Sequence, residues 1–336
     1  MMLLSRTLLF TSLALGFSTS ALAYDISLES YDPDELQVLQ AAEKSDDPVQ
    51  LMEAASVLLY ESMLQENVDQ GLVYLKKAAQ KGSHEAESEL ADYYYYQQED
   101  YAEALKWYHQ AEKGQDAYVL YSLGAMYFDG EGTQVDLKKA NEYYLAAAKL
   151  GYSDAMYELA FSYNDGKGVE KDFVQAAHWF KQAADLGDAS AMYNLGIAYL
   201  NGEGVEKSCP TAMKLFNQAI DADEHVLSYA TLGNLYYYPE YKRPCGFKTT
   251  DYKKSFSYFS EAAMWGDEYS QYMVGYSYRN GHGVYSDFVK ALAWLSIAAD
   301  NGYAKSAEAV KEVKRHMSRA DIEKAGELQA SLEEEI

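Results

Sequence analysis

Residues 155–187 read AMYELAFSYNDGKGVEKDFVQAAHWFKQAADLG, and this stretch decides the fold. Its small and apolar positions Ala155, Leu159, Ala160 and Tyr163 recur at spacings of four, one and three, which puts them on one face of an amphipathic helix. We term this helix A. A second helix, helix B, follows from Asp172, with Ala176, Ala177, Phe180, Ala183 and Ala184 on its inner face. Small residues where two helices cross let the backbones approach, and the aromatic rings then fill the gap against a neighbouring unit.

The same pattern recurs in both directions along the chain. YSLGAMYFDGEG begins at Tyr121, YELAFSYNDGKG at Tyr157 and YNLGIAYLNGEG at Tyr193, with Leu123, Leu159 and Leu195 spaced 36 apart and a diverged copy, YMVGYSYRNGHG, at Tyr272. A fixed period of this length is the signature of a helix-pair solenoid. Asp69, Asp100, Asp136, Asp172, Ser208, Asp251 and Asp287 each precede a helix B and read as N-caps rather than metal ligands. Gly82, Gly114, Gly151, Gly187, Gly266 and Gly302 close the pairs, with Asp223 replacing the glycine once. Counting closures gives seven units over 48–302: 48–82, 83–114, 115–151, 152–187, 188–223, 224–266 and 267–302. The first two lack the Gly-x-Gly loop, and the sixth carries an insertion, PEYKRPCGFKTT, between its helices. Residues 303–336 form a charged helical segment that reads as a C-terminal cap for the last apolar face.

These residues resemble the Sel-one-like repeat, a subfamily of the tetratricopeptide repeats, whose unit runs A-x-Y-x-LG-x-x-Y-x-x-G-x-GV and then D-x-x-x-A-x-x-W-[YF]-x-x-AA-x-x-G. Residues 155–187 match nearly every fixed position, and the likeness covers roughly 83–302, with the first unit more distant. Departures are Ala160 for the glycine of helix A, and Tyr143 and Tyr258 where Trp is usual. The resemblance implies an all-α, right-handed superhelical solenoid of antiparallel helix pairs, and adaptor or scaffold work through protein–protein contacts.

The ends and the composition bound the setting. Arg6, an apolar run from Leu8 to Phe17 and Ala21-Leu22-Ala23 before Tyr24 have the three parts of a secretory signal, so cleavage after Ala23 and a periplasmic or secreted protein are expected. No later stretch reaches the roughly 18 uninterrupted apolar residues of a membrane helix, so no stable membrane insertion is expected. Losing Arg6 with the signal takes the formal charge from -24 to -25, which argues against nucleic acid as a partner, since phosphate binding needs a basic surface. Acid concentrates at the start: the segment 24–47, expected to hold a short helix, and the residues after it carry eleven Asp or Glu up to Asn67 against a single Lys44. That excess reads as a solvated face or as an attraction for a basic partner. Nothing in the sequence reports an oligomeric state.

No catalytic constellation is present. The Gly-x-Gly loops lack the Walker lysine pattern and a preceding strand, the six His make no H-E-x-x-H pair, and neither G-x-S-x-G nor S-x-x-K occurs. The expectation is a non-enzyme without cofactor or metal. Cys209 and Cys245 lie in inter-helix loops of adjacent units and are expected to pair in an oxidising compartment.

Binding residues are sought among positions the repeat leaves free. In the family, helix A lines the concave side, so the positions one before and two after its central residue are the candidate groove. Phe161, Ile197, Met273 and Tyr276 would supply apolar anchors, and Glu158 and Asn194 polar contacts. Tyr157, Tyr163, Tyr193 and Tyr199 repeat with the unit and read as structural, while the runs Tyr93–Tyr96 and Tyr236–Tyr238 exceed what the repeat needs. A protein or peptide partner is the first reading. Glycan binding at a cell wall, with Tyr rings stacking on sugar faces, is the second, and a hydrolase the weakest.

Overall fold

The computed structural model describes residues 31–60 and 65–336; the proposed signal, residues 1–23, lies outside them. All regular elements among the described residues are helices. The chain divides into two compact units, one ending at Gly114 and one beginning at Gln115.

The first unit holds α1 (Pro33–Glu43), α2 (Pro48–Tyr60), α3 (Gln65–Gln80), α4 (His84–Asp92) and α5 (Tyr101–Ala111). Asp32 opens α1 with a capping box, its side chain accepting from Asp34 and Glu35 N–H while Glu35 returns the bond. Helices α2 and α3 pair, as do α4 and α5, and α3 packs on α4. Their core is Leu51, Leu58, Leu75, Ala78, Ala86 and Leu90, all fully buried. The tyrosine run becomes a π-helical turn, Tyr93–Gln97, that ends α4.

The second unit contains five helix pairs: α6 (Ala117–Asp129) with α7 (Leu137–Lys149), α8 (Ser153–Asp165) with α9 (Phe173–Asp185), α10 (Ala189–Asn201) with α11 (Cys209–Asp223), α12 (Val226–Tyr237) with α13 (Tyr252–Met264), and α14 (Glu268–Asn280) with α15 (Phe288–Asp300). Each second helix also packs on the first helix of the next pair. Helices α16 (Ser306–Lys314) and α17 (Arg319–Glu333) cover α15, burying Leu292 and Leu295 with Ala309, Val313 and Ala325. Within a pair, the glycine of helix A admits a large side chain from helix B. A Cβ at Gly196 would come within 2.6 Å of the Phe216 ring, and one at Gly233 within 2.7 Å of Phe259. Both rings are fully buried.

Two recurring devices set the joints. At the A–B loop, the backbone N–H of the capping residue donates to a tyrosine carbonyl in the last turn of helix A: Asp136 to Tyr127, Asp172 to Tyr163, Ser208 to Tyr199, Asp251 to Tyr236 and Asp287 to Tyr278, at 2.8–3.1 Å. The bond at Asp251 closes across the insertion, its two residues 15 apart where the other four pairs are 9 apart, so six additional residues leave the helix pair in register. At the end of helix B the chain closes with Schellman bonds, Asp188 N–H to Ala183 O and Gly187 N–H to Ala184 O, which require the left-handed φ of 99° at Gly187.

The expected caps hold at Asp100, Asp136, Asp172, Ser208, Asp251 and Asp287, each accepting from a first-turn backbone N–H. Asp69 is a correction. It lies inside α3, because nothing in Gln65–Val68 breaks the helix. Two closures also shift by one residue. Gln115 (φ 52°) rather than Gly114, and Glu224 (φ 42°) rather than Asp223, take the left-handed conformation. Gly114 instead gives room to His84, whose Cβ would lie 2.9 Å from an added methyl.

The second glycine of the Gly-x-Gly loop makes the contact between repeats. A Cβ at Gly168 would strike the backbone of Leu137, at Gly204 that of Phe173, and at Gly283 that of Tyr252. Leu137, Phe173 and Tyr252 are each the first residue of the preceding repeat's helix B. The loop therefore seats itself on the backbone of its neighbour's first helical turn. The inserted repeat has no such glycine pair. There, Cys209, the first residue of α11, is joined by a disulfide to Cys245 of the insertion, with Cα atoms 4.8 Å apart. A covalent bond thus stands at the position that backbone packing occupies in the other junctions.

Substituting Gly204 by Ala should destabilise the second unit by about 2–4 kcal/mol, summing left-handed strain and overpacking against Phe173. Gly187→Ala, whose Cβ meets nothing within 4 Å, should cost only about 1 kcal/mol. Urea denaturation followed by circular dichroism separates the two, and equal losses would disprove the seating role. For the disulfide, reduction should lower stability by about 2–4 kcal/mol. The accompanying check is a thiol titration of the unreduced, denatured protein, in which two reactive thiols would contradict the bond.

Candidate functional site

The sequence-predicted residues fall into three groups on the first helices of three pairs, α8, α10 and α14, and each group meets a residue from a Gly-x-Gly loop. Glu158 and Phe161 lie on α8, half-buried, four and one residues ahead of its final turn. Lys167, the residue between Gly166 and Gly168, swings back over them. Its Nζ is 4.6 Å from the centre of the Phe161 ring, 5.7 Å from that of Phe128 on α6, and 3.6 Å from Asp165 Oδ2. Burial, together with the nearby Asp129 carboxylate, holds the Glu158 carboxyl above its ordinary range, and Lys167 pulls it partly back.

Asn194 and Ile197 lie on α10. The Asn194 amide donates to Ser190 O at 2.8 Å and to the Tyr157 hydroxyl at 3.5 Å, which ties α10 to α8. Both residues line a cleft of about 80 Å³ together with Asn164, Phe173, Phe180 and Glu203. Glu203 is the residue between the paired glycines of that loop. A cleft this small is far below the roughly 300–1,000 Å³ of small-molecule pockets, so it accommodates at most the tip of a side chain.

Tyr276, on α14, belongs to the largest aromatic cluster of the second unit. Its ring meets His282 edge-on at 5.8 Å and Tyr272 at 6.1 Å. His282, again the residue between two glycines, stacks on Tyr252 at 4.5 Å and is hydrogen-bonded through Nδ1 to the Tyr237 hydroxyl at 2.9 Å. The Tyr269 hydroxyl donates to Asn234 at 2.6 Å and lies 3.3 Å from that of Tyr238, while Tyr303 packs on Tyr272 at 5.0 Å. Burial, then neighbouring phenols, pushes Tyr237 and Tyr269 well above the ordinary tyrosine range. Tyr237 and Tyr269 therefore keep their protons at neutral pH, and the cluster offers ring faces and O–H groups.

Met273 is a correction to the groove. It is 4% exposed and packs into the core beside Phe259, Val274 and Trp294. The central position of α14 is Val274 where other copies have Leu, and the unbranched Met side chain turns inward to fill the space.

Lys167, Glu203 and His282 were not among the residues expected to form the site. Their signal was present as the residue between two repeated glycines, which changes among the copies: Glu131, Lys167, Glu203 and His282. The tyrosine run 236–238 divides between two roles: Tyr236 stacks on Phe247 of the insertion at 4.7 Å and on Tyr258 at 5.8 Å, whereas Tyr237 and Tyr238 join the cluster around Tyr276.

In the first unit, a cleft of about 340 Å³ lies between α2 and α4, with Val49 and Met52 on one side and Glu53, Glu85 and Glu89 around it. Glu89 occupies the position in its repeat that Glu158 occupies in its own, one before the central Leu. Burial and its acidic neighbours Glu85 and Asp92 raise it likewise. Among the described residues, no group of three or more His, Cys, Asp or Glu is placed to hold a metal ion, and no helix is long and apolar enough to cross a membrane.

Comparison with known proteins agrees with this architecture. Residues 53–83, 84–116, 117–152, 153–188, 189–224, 229–267 and 268–303 each match the model of the Sel1 repeat. Among solved structures, the chain is similar to a protective antigen present in uropathogenic Escherichia coli strains and displaying an SLR fold, with 18% identity over 90% of this chain and 79% of that one and a TM-score of 0.57. It is also similar to a Sel1 repeat protein from Oxalobacter formigenes, at 25% identity over 66% of this chain and 88% of that one, with a TM-score of 0.60. With seven consecutive repeats matched and their helix pairs in place, the chain belongs to the Sel1 repeat family.

Proposed function

We propose that this protein is an exported scaffold that holds a protein or peptide partner on the face formed by the first helices of its repeats. Sel1 and tetratricopeptide-like repeats generally serve as protein–protein interaction scaffolds, and an array presents an extended surface rather than a closed pocket. The observation that carries the reading here is the aromatic cluster around Tyr276. Tyr237, Tyr238, Tyr272, Tyr276 and Tyr303 are only half-buried, and together they present more ring surface and more hydroxyl groups than the core of one repeat junction uses. Tyr suits such a surface because it brings a large amphipathic contact area with little side-chain entropy to lose.

Export is supported by two independent features. One is the charged, apolar and small-residue succession of residues 1–23. The other is the disulfide between Cys209 and Cys245, since such bonds persist in oxidising compartments. A partner with basic segments matches the chain's formal charge of -24.

Replacing Phe161 and Tyr276 together by Ala should weaken binding to a partner isolated by crosslinking at least about tenfold, as for anchor residues of an interface. Helicity and melting should be retained, and unchanged affinity in a folded double variant would remove the groove assignment. For export, fractionation followed by N-terminal sequencing should find Tyr24 as the first residue of protein outside the cytoplasm. Recovery of an uncleaved chain confined to the cytoplasm would contradict it.

A further inference from the structure

We infer that the Phe161–Glu158 patch of α8 is a binding site for a lysine or arginine side chain of a basic partner peptide, and that Lys167 fills this site in the unbound protein. The inference rests on the scaffold reading and names the chemistry that one part of its surface recognises.

The chain itself supplies the first observation, an ammonium already seated. Lys167 Nζ lies over the face of Phe161 and near that of Phe128, at 4.6 and 5.7 Å from their centres, the arrangement by which ring quadrupoles attract a cation. The surrounding charge is unbalanced. Asp165 approaches Lys167 to 3.6 Å, Glu158 senses the same ammonium, and Asp129 acts on Glu158. Two acidic side chains, Asp165 and Glu158, thus face this one cation, with Asp129 behind Glu158.

A second observation concerns what holds Lys167 and what does not. Its carbonyl accepts from the Asn141 amide at 2.7 Å, and the adjoining Gly168 is seated on Leu137. The Lys167 N–H donates to Ser162 O at 3.0 Å, so the backbone is held without help from the side chain. The side chain remains 41% exposed, and its identity is no requirement of the loop, since the equivalent residues are Glu131, Glu203 and His282. Partly exposed ion pairs and cation–π contacts are each worth about 0.5–1 kcal/mol, so the side chain can leave at little cost. An incoming lysine or arginine takes over the same rings and carboxylates while its peptide gains contacts along the helix face. Lys167 then acts as a competitor in cis, raising the affinity a true partner must have.

Titration calorimetry with an acetylated, amidated hexalysine peptide tests this, at about 150 mM salt, where charges more than ~8 Å apart are largely screened. Lys167→Ala should bind the peptide about three- to tenfold more tightly than the wild type, the range set by one cation–π contact and one ion pair. Lys181→Ala, which removes the same charge from α9 where Lys181 pairs with Asp185, should stay within about twofold of the wild type, as expected of an exposed pair. Adding Phe161→Leu to Lys167→Ala should abolish the gain, and Phe161→Tyr, which keeps a ring, should preserve it. The inference is overturned if Lys167→Ala binds no more tightly than Lys181→Ala, if the gain survives loss of the ring, or if neither wild type nor variant binds. Should it fail while partner binding still responds to Tyr276, the scaffold reading stands without it.

Discussion

Everything in the second unit depends on how closely one repeat can approach the backbone of the last. Where the loop glycine lacks a side chain, its Cα settles against the backbone that opens the preceding helix B. Leu137, Phe173 and Tyr252 receive Gly168, Gly204 and Gly283 in the same manner. That contact determines how far each repeat is set from its neighbour, and hence where the first helices of successive pairs present their free faces. The candidate groove residues are arranged by this spacing rather than by contacts among themselves.

The same loop links structure to recognition. Its two glycines are committed to geometry, and the residue between them is free to vary. In three repeats that residue reaches a neighbouring face: Lys167 onto Phe161, Glu203 into the cleft of Asn194 and Ile197, and His282 against Tyr276. A cation, an anion and an imidazole are thereby presented in turn along one array, each beside different apolar side chains. Varying one position per loop alters the surface without disturbing the helix pairs.

Much of the fold was legible in the amino-acid order because it is written in periodic, local chemistry. Six caps and the closing glycines at 82, 151, 187, 266 and 302 are short-range events, decided within a few residues. The failures have equally local causes. Asp69 resembles the other caps in type, but the segment before it contains nothing that stops a helix. At Gly114 and Asp223, the left-handed residue is displaced by one because Gln115 and Glu224 take the conformation that glycine takes elsewhere. The site was read less completely. Counting positions from the central residue led to side chains that are half-buried on α8, α10 and α14, yet Met273 lies in the core beside Val274, which a helix period does not foretell. Lys167 and His282 were not found because their contacts connect residues of three different helices, information that a helix period does not contain.

The disulfide has a consequence for how the array comes apart. A solenoid can be treated as a row of units coupled to nearest neighbours, which frays wherever an interface is weakest. The junction between α11 and the inserted repeat lacks the seated glycine, and it would be the natural place for the row to unzip. Cys209–Cys245 spans that junction, so the pairs on either side cannot drift apart even when the packing between them loosens. In a reducing environment the row has a breakable joint there, and in an oxidising one it does not. The mechanical continuity of the second unit is therefore conditional on the compartment in which the protein resides.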